Sequence, residues 1–586
     1  MRGLLLSCIL VAALAQHVNA QIAPHHHWIG FESKVGCGVD LADPNAGLAL
    51  LSQRALDRRD KQGISLDSTD LPIPPHLVDD VLSLGISDAG QAIKMLHRSR
   101  WFNGIVIQID TALVDSAQAA TMLAQIQNLS GVIEVRRARW FQNRGALPVA
   151  HGPRSSVISE SGSAPYGLAW DQTRQLRLDL LHGLGHRGQG MMVGVLDSGF
   201  DRIDTNPALQ RARDEGRIRV GGNFPNGGGI SSFIYSEHAH GAMVLSTMAG
   251  VLDTSDSGPY MGSAPDAQYV LFRTEDVGWE NVVEEYHWVA AAERADSMGC
   301  DILNTSLGYS LFDDTSAHHN PLDLDGNTFR ITQASDLAAS KGMLVFNSAG
   351  NSGNSAWQKI TAPADGDSVL AIGAVSANGV RASFSSFGPT ADGRIKPDLC
   401  AMGQDAAYIH PDGSIRTGNG TSFSSPILCG AATALWSAHP EQPAWAIRKA
   451  LLASASQWTE PDTTRGYGIP NLWTAHLALG GTAPTSDQAN VVVYPNPVPS
   501  SSQILRVMFR EPQLLSAANT PLQWTLLEST GRLISEGQLE RGKEELTTLT
   551  LQTSALSTGT YLLLFRGVSD GARREAPTTW ARFVVE

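Results

Sequence analysis

Cysteine is scarce in this chain, with five in 586 residues. Cys8 falls in an N-terminal apolar run, and Cys37, Cys300, Cys400 and Cys429 are too few for a disulfide-stapled scaffold. At about 100–200 residues per domain the length predicts several domains, large enough to bury a core without staples. Beside Ile302, Leu399 and Leu428, the last three cysteines read as small buried apolar side chains, with one disulfide left open. Basic charge is in deficit: 43 Lys and Arg against 57 Asp and Glu leave a net charge of −14 with His neutral. That balance excludes a general binder of phosphate backbones, so no nucleic-acid partner is expected. No apolar run reaches the roughly 20 residues that cross a bilayer, so no membrane span is expected in the mature chain. With 42% apolar and 17% charged residues, and ordinary amounts of glycine (57) and proline (29), neither wholesale disorder nor a collagen-like chain fits.

What is present begins with an export signal. Met1-Arg2, an apolar run from Leu4 to Ala15 and the small-residue exit Val18-Asn19-Ala20 predict cleavage after Ala20. The expected location is secreted, extracellular or at the cell surface.

Residues 21–145 form a first unit, best patterned as a strand over 104–109, a helix over 116–129 and a strand over 132–135, a small α+β module. His25-His26-His27, beside the expected cleavage site, reads as a solvated, unstructured end. Residues 146–165, rich in Ser, Gly and Pro, suit an exposed linker. Over 166–480, strands at 192–196, 269–272, 301–304, 343–346 and 369–375 alternate with helices that include 281–298 and 331–341. That rhythm predicts an α/β fold, a doubly wound parallel sheet covered on both faces, with ligands at the carboxyl ends of its strands. After a second linker, 481–490, short runs separated by Gly, Ser and Pro turns predict an all-β sandwich over 491–586.

Three segments of the central region carry reactive side chains. Val193-Gly194-Val195-Leu196-Asp197-Ser198-Gly199 ends a strand in an Asp that could anchor another side chain. His238-Ala239-His240-Gly241-Ala242-Met243-Val244 opens a helix with His next to a Gly that permits close approach. Gly420-Thr421-Ser422-Phe423-Ser424-Ser425-Pro426 places Pro in the first turn of an apolar helix and Ser422 at its N-terminus, where free N–H groups favour a developing negative charge. Singly these are a turn Asp, a structural His and a helix cap. A metal reading of His238-x-His240 lacks an accompanying His-Glu-x-x-His. Together, in the order Asp…His…Ser and each with its flanking motif, they resemble subtilisin and the other subtilisin-like serine proteases. Asn304-Thr305-Ser306-Leu307-Gly308 is similar to that family's substrate-binding edge strand, and Ser348-Ala349-Gly350-Asn351-Ser352-Gly353 to the loop carrying its oxyanion-hole Asn. Phe384-Ser385-Ser386-Phe387-Gly388-Pro389 and Lys396-Pro397-Asp398 resemble further family segments, so the likeness spans about 166–480.

The resemblance implies a subtilisin-like serine endopeptidase acting on protein or peptide substrates through an acyl-enzyme. Ser422 would be the nucleophile, His240 its base, Asp197 the orienting carboxylate, and Asn351 an oxyanion donor beside the Ser422 N–H. Ser306, Leu307 and Gly308 would bind substrate. The chemistry would require no cofactor; a structural calcium is left open, with no ligands assigned. Asp323-Leu324-Asp325-Gly326-Asn327 lacks the bidentate acid of a full calcium loop and reads as a solvated turn. Ala242 where Thr is common, Met243 where many members carry His, and Ala401-Met402-Gly403 for the usual Ala-Pro-Gly leave substrate preference open.

The flanking units extend the resemblance. Phe102 to Arg137 is loosely similar to the inhibitor-like propeptide of such proteases, implying that residues 21–145 inhibit their own enzyme. Arg136-Arg137 and Arg139 read equally as a processing signal or a solvated basic edge, with cleavage expected between Phe141 and Tyr166. Val493-Tyr494-Pro495-Asn496-Pro497 and Gly559-Thr560-Tyr561-Leu562-Leu563-Leu564 resemble the sorting domains of type IX secretion, implying that machinery as a partner; the alternative is an ordinary appended sandwich. The main functional rival is a catalytically inactive surface adhesin on a protease scaffold, although all four reacting positions retain competent residue types. An α/β-hydrolase esterase is disfavoured by the chain order and the missing Gly-x-Ser-x-Gly elbow.

Overall fold

The computed structural model describes residues 25–87, 90–138, 165–253, 255, 258–481, 491–494, 498, 504–509, 522–539, 546–550, 556–567 and 579–585. The expected signal and its cleavage point, Arg139, the expected processing region between Phe141 and residue 164, residues 482–490 and Pro495-Asn496-Pro497 lie outside the described residues.

The N-terminal unit is a four-stranded antiparallel sheet of β1 (His25–Phe31), β2 (Ile93–Ser99), β3 (Gly104–Ile109) and β4 (Val132–Arg137), in the order β2-β3-β1-β4. Helix α1 (Gln53–Lys61) lies between β1 and β2 in the chain. Because β1 pairs antiparallel with both β3 and β4, those two run parallel and are joined by a crossover, α2 (Ser116–Gln127), which starts with a capping box of Asp115 and Gln118. The histidine run is therefore not an unstructured end. It begins an inner strand whose backbone is paired on both sides, and His26 and His27 are buried.

The central region is a seven-stranded sheet: β5 (Met192–Asp197), β6 (Ile218–Asn223), β7 (Gln268–Arg273), β8 (Ile302–Thr305), β9 (Leu344–Ser348), β10 (Leu370–Val375) and β11 (Leu399–Met402). Its order is β11-β10-β9-β8-β5-β7-β6, and every pairing is parallel. Side chains alternate between faces. Val193, Val195 and Leu271 join the core under α3 (His240–Ala249) and α6 (Thr421–Ser437), whereas Leu196, Val270 and Leu303 join the one under α4 (Val283–Met298) and α5 (Arg330–Ser340). This is a doubly wound α/β fold. The outer strands β6 and β11 were not legible in the pattern: β6 is half-exposed and holds Gly221 and Gly222, and β11 is only four residues long. Chain order reverses between β5 and β8, the place where such sheets form a crevice.

The N-terminal sheet lies on α4 and α5. Trp28 stacks on Tyr286 at 5.3 Å between ring centroids, and the Arg330 guanidinium sits 4.5 Å over the Trp28 ring. Glu293 of α4 accepts from the Ser99 hydroxyl and the Arg100 N–H (2.8 Å), while Asp296 holds both Arg58 and Arg59 of α1. The C-terminal unit consists of antiparallel sheets. Leu527, Leu562 and Leu564 pack on Leu180 and Trp473 of the central region, and Arg174 reaches both Glu536 oxygens at 2.7 and 2.6 Å. Cys37, Cys300, Cys400 and Cys429 are free thiols, the last three buried. Among the described residues no helix is long and apolar enough to cross a membrane.

Candidate active site

The crevice between β5 and β8 gathers the reactive segments. Thr305 is level with Leu196, so Ser306 emerges beside Asp197, one strand spacing (about 4.8 Å) away. Asp197 is buried at the end of β5, and its Oδ1 accepts from the Ser198 N–H (2.8 Å) and from His240 Nδ1 (2.7 Å). His240 is the first residue of α3, and the following glycine lets the helix approach. A Cβ on Gly241 would lie 2.4 Å from the Gly199 carbonyl oxygen and 2.8 Å from Asp197 Cβ. Burial disfavours the charged ring, but the Asp197 charge, its hydrogen bond and then the Glu275 charge outweigh it, raising the His240 pKa above its ordinary value.

Ser422 is the second residue of α6, and it exchanges two hydrogen bonds with Ser306. Its Oγ donates to the Ser306 carbonyl (3.1 Å), and Ser306 Oγ donates to the Ser422 carbonyl (3.0 Å). Pro426 lies inside the helix, beyond the first turn where the sequence pattern had placed it. Lacking an N–H, it cannot bond the carbonyl four residues earlier, which leaves the Ser422 carbonyl for Ser306. Among the described residues no hydrogen bond joins Ser422 to His240. The fold thus links Asp197 and His240 directly, and α3 packs against α6, the helix that carries Ser422.

Asn351 lies on the loop after β9. Its Oδ1 accepts from the Thr421 N–H (2.8 Å) and hydroxyl (2.9 Å), turning Nδ2 the other way. A Cβ placed on Gly420 would be 3.8 Å from both Asn351 Nδ2 and Ser422 Cβ, so the amide stands beside the serine. Ser306, Leu307 and Gly308 leave the end of β8 as an edge with Gly308 exposed. The Leu307 carbonyl is held by Asn347 Nδ2 (3.1 Å) and Ser348 Oγ (3.3 Å), and Tyr309 pairs its backbone with Ala362 at 2.8 and 3.1 Å.

Other singled-out residues fall elsewhere. His238 Nδ1 is 2.9 Å from Ser198 Oγ, and among the described residues no group of three or more His, Cys, Asp or Glu gathers as metal ligands. Asp325 accepts from the Asn327 and Thr328 N–H groups in a local turn. Ala242, Met243 and Met402 are buried. Sequence reasoning assigns no role to Thr421 or Glu275. Glu275, a buried acid just past a strand end, takes hydrogen bonds from Thr274 Oγ1 (2.8 Å) and the Tyr309 hydroxyl (2.5 Å). The strand-end rule that drew attention to Asp197 could have drawn it to Glu275 as well.

Residues 188–469 match the Subtilase family, and residues 26–143 match the peptidase S8 propeptide domain of Bacteroidota. The chain is 29% identical to subtilisin DY of Bacillus licheniformis over 295 residues, which is 50% of this chain and 92% of that protein. It is 30% identical over 303 residues to the subtilisin of Bacillus pumilus, covering 50% of this chain and 92% of the relative. An alkaline protease of Shouchella clausii is 28% identical over 314 residues, 54% of this chain and 70% of its own length. With the parallel sheet, the crevice and these relatives in agreement, the chain belongs to the subtilase family of serine endopeptidases and carries an S8 propeptide domain ahead of the peptidase region.

Proposed function

We propose that the protein is an exported endopeptidase that cleaves peptide bonds with Ser422 as nucleophile, His240 as general base and acid, and Asp197 as the carboxylate that orients and stabilises the imidazolium. The observation carrying this reading is the 2.7 Å bond from His240 Nδ1 to a buried Asp197, made where Ser422 starts a helix. With Nδ1 donating, Nε2 is left as the acceptor that a base requires. The reading requires the Ser422 hydroxyl to leave the Ser306 carbonyl for another staggered rotamer in which it donates to that nitrogen. Oγ attacks the scissile carbonyl, its proton passes to His240 and then to the leaving amine, and water releases the acyl group. Asn351 Nδ2 and the Ser422 N–H receive the oxyanion, while Ser306, Leu307 and Gly308 line the substrate. The reaction so written uses these protein groups and water.

The N-terminal module inhibits the enzyme until it is cut away, and the C-terminal unit is a sorting domain for type IX secretion. Support comes from the propeptide match and from the Tyr494-Pro495-Asn496-Pro497 and Gly559–Leu564 segments. A peptide library digested by processed protein and read by mass spectrometry tests the chemistry. Cleavage and fluorophosphonate labelling by wild type, both lost in Ser422→Ala, are expected. Equal labelling of the two proteins would refute Ser422 as nucleophile. Deleting residues 491–586 should leave the protease inside a type IX-competent host; unchanged export would refute the sorting role.

A further inference from the structure

Glu275 is a buried carboxyl to which the proposed mechanism gives no task. It follows β7 by two residues, and β7 runs beside β5 with Arg273 level with Asp197. The Thr274 N–H donates to the Asp197 carbonyl oxygen (3.0 Å), so Glu275 leaves the sheet in the layer just beyond the Asp197–His240 pair. Its Oε1 accepts from two hydroxyls, those of Thr274 (2.8 Å) and Tyr309 (2.5 Å). Tyr309 directly follows Ser306-Leu307-Gly308, so one carboxyl touches both the support of the imidazole and the end of the cleft edge.

We propose that Glu275 is a positioning residue for peptide hydrolysis: its carboxylate is a second negative charge behind His240, and its bond to Tyr309 ties the substrate edge to the same support. This rests on His240 being the base. The charges around the imidazole are Asp197 first and Glu275 after it, with His238 stacked at 6.3 Å. Those around Glu275 are Asp197 and Arg273, with Glu280 and Glu284 on the acidic stretch that follows. Glu284 is spoken for by the Asp276 and Asn281 N–H groups (2.8 and 2.9 Å). Burial and the neighbouring Glu275 and Glu280 charges hold its carboxyl well above the usual range, so it adds little charge at neutral pH. Burial pushes Glu275 up to about 7, against the Tyr309 and Thr274 hydrogen bonds. The Glu275 charge is one of those that raise the His240 pKa, so the two groups are coupled and a proton on one disfavours a proton on the other. The acid limb of activity should be broader than a single titration.

The test is kcat/KM against pH for processed wild type, Glu275→Gln, Glu275→Asp and Tyr309→Phe on one peptide. Gln keeps both hydroxyl bonds as an acceptor and loses only the charge. The acid limb should move to lower pH by about half to one unit and narrow to a single proton. Asp should restore much of the wild-type limb. Tyr309→Phe removes a donor that keeps Glu275 ionised, so it should move the limb the same way by less. Limbs that coincide with wild type in the Gln and Phe variants would overturn the proposal. If Glu275→Gln does not accumulate, the low-field Nδ1–H resonance of His240 in full-length Ser422→Ala, alone and with Tyr309→Phe, gives the same comparison; equal midpoints overturn it. Activity surviving in Ser422→Ala would instead sink the assignment of the nucleophile, so the two failures are distinguishable.

Discussion

Replacing Asp296 with Asn removes the charge that clasps the propeptide to the peptidase. Asp296 lies in α4, fully buried, and its ion partners Arg58 and Arg59 both come from α1 of the propeptide. Arg59 keeps a bidentate partner in Asp70 at 2.9 and 2.9 Å, but Arg58 loses its carboxylate and retains the Cys300 carbonyl. Leaving a buried charge without its partner costs about 3–5 kcal/mol, and the surviving Asp70 bond argues for the lower end, roughly 100-fold in affinity. Among the described residues Asp296 pairs with no cation outside the propeptide, so the mature enzyme should be unaffected. The assay is the lag before full activity when freshly processed full-length protein is diluted into substrate, which reads propeptide dissociation. Asp296→Asn should shorten the lag and leave final kcat/KM unchanged. The solvent-exposed Lys61–Glu441 pair (3.2 Å) is the control, since breaking it should cost at most about 1 kcal/mol. Equal lags for wild type and Asp296→Asn, or a lag changed as much by Lys61→Ala, would refute the reasoning.

Asn351→Ala should lower kcat by about 10²–10³-fold with little change in KM, and Thr421→Val, which removes the hydroxyl bond to Asn351 but keeps the backbone N–H bond, should lower it by less; steady-state kinetics separate these from a binding defect. His97 of β2 is buried with its ring 5.0 Å from that of His287. Burial, then the nearby His287, His26 and Arg294, hold its pKa well below the ordinary 6.5. In the released propeptide the ring returns to that ordinary value, so docking is unpenalised above about pH 6.5 and weakens as pH falls below it. Dissociation lags should therefore shorten in acid, and His97→Asn should flatten that dependence. At the C-terminal interface Trp473→Ala should destabilise by about 3–5 kcal/mol in thermal unfolding, while Arg174→Ala, on the exposed ion pair, should cost under about 1 kcal/mol.

The reactive segments were legible because each carries its local geometry with it. Asp197 ends a buried apolar run, His240 and Ser422 start helices, and Gly241 clears the space beside His240. Two-residue alternation and helical periodicity likewise announced the central strands, the α/β class and the antiparallel C-terminal unit, since those patterns come from neighbours in the chain. The tertiary structure alone decided which groups meet across long separations. It turned Ser422 to Ser306, oriented Asn351 through Thr421, set Glu275 under Tyr309 and buried His26 and His27 inside a sheet. It also joined Arg58 and Arg59 to Asp296, more than 230 residues away. Periodicity encodes which face a side chain presents, whereas the partner it finds there depends on the register of strands and helices brought together only by folding.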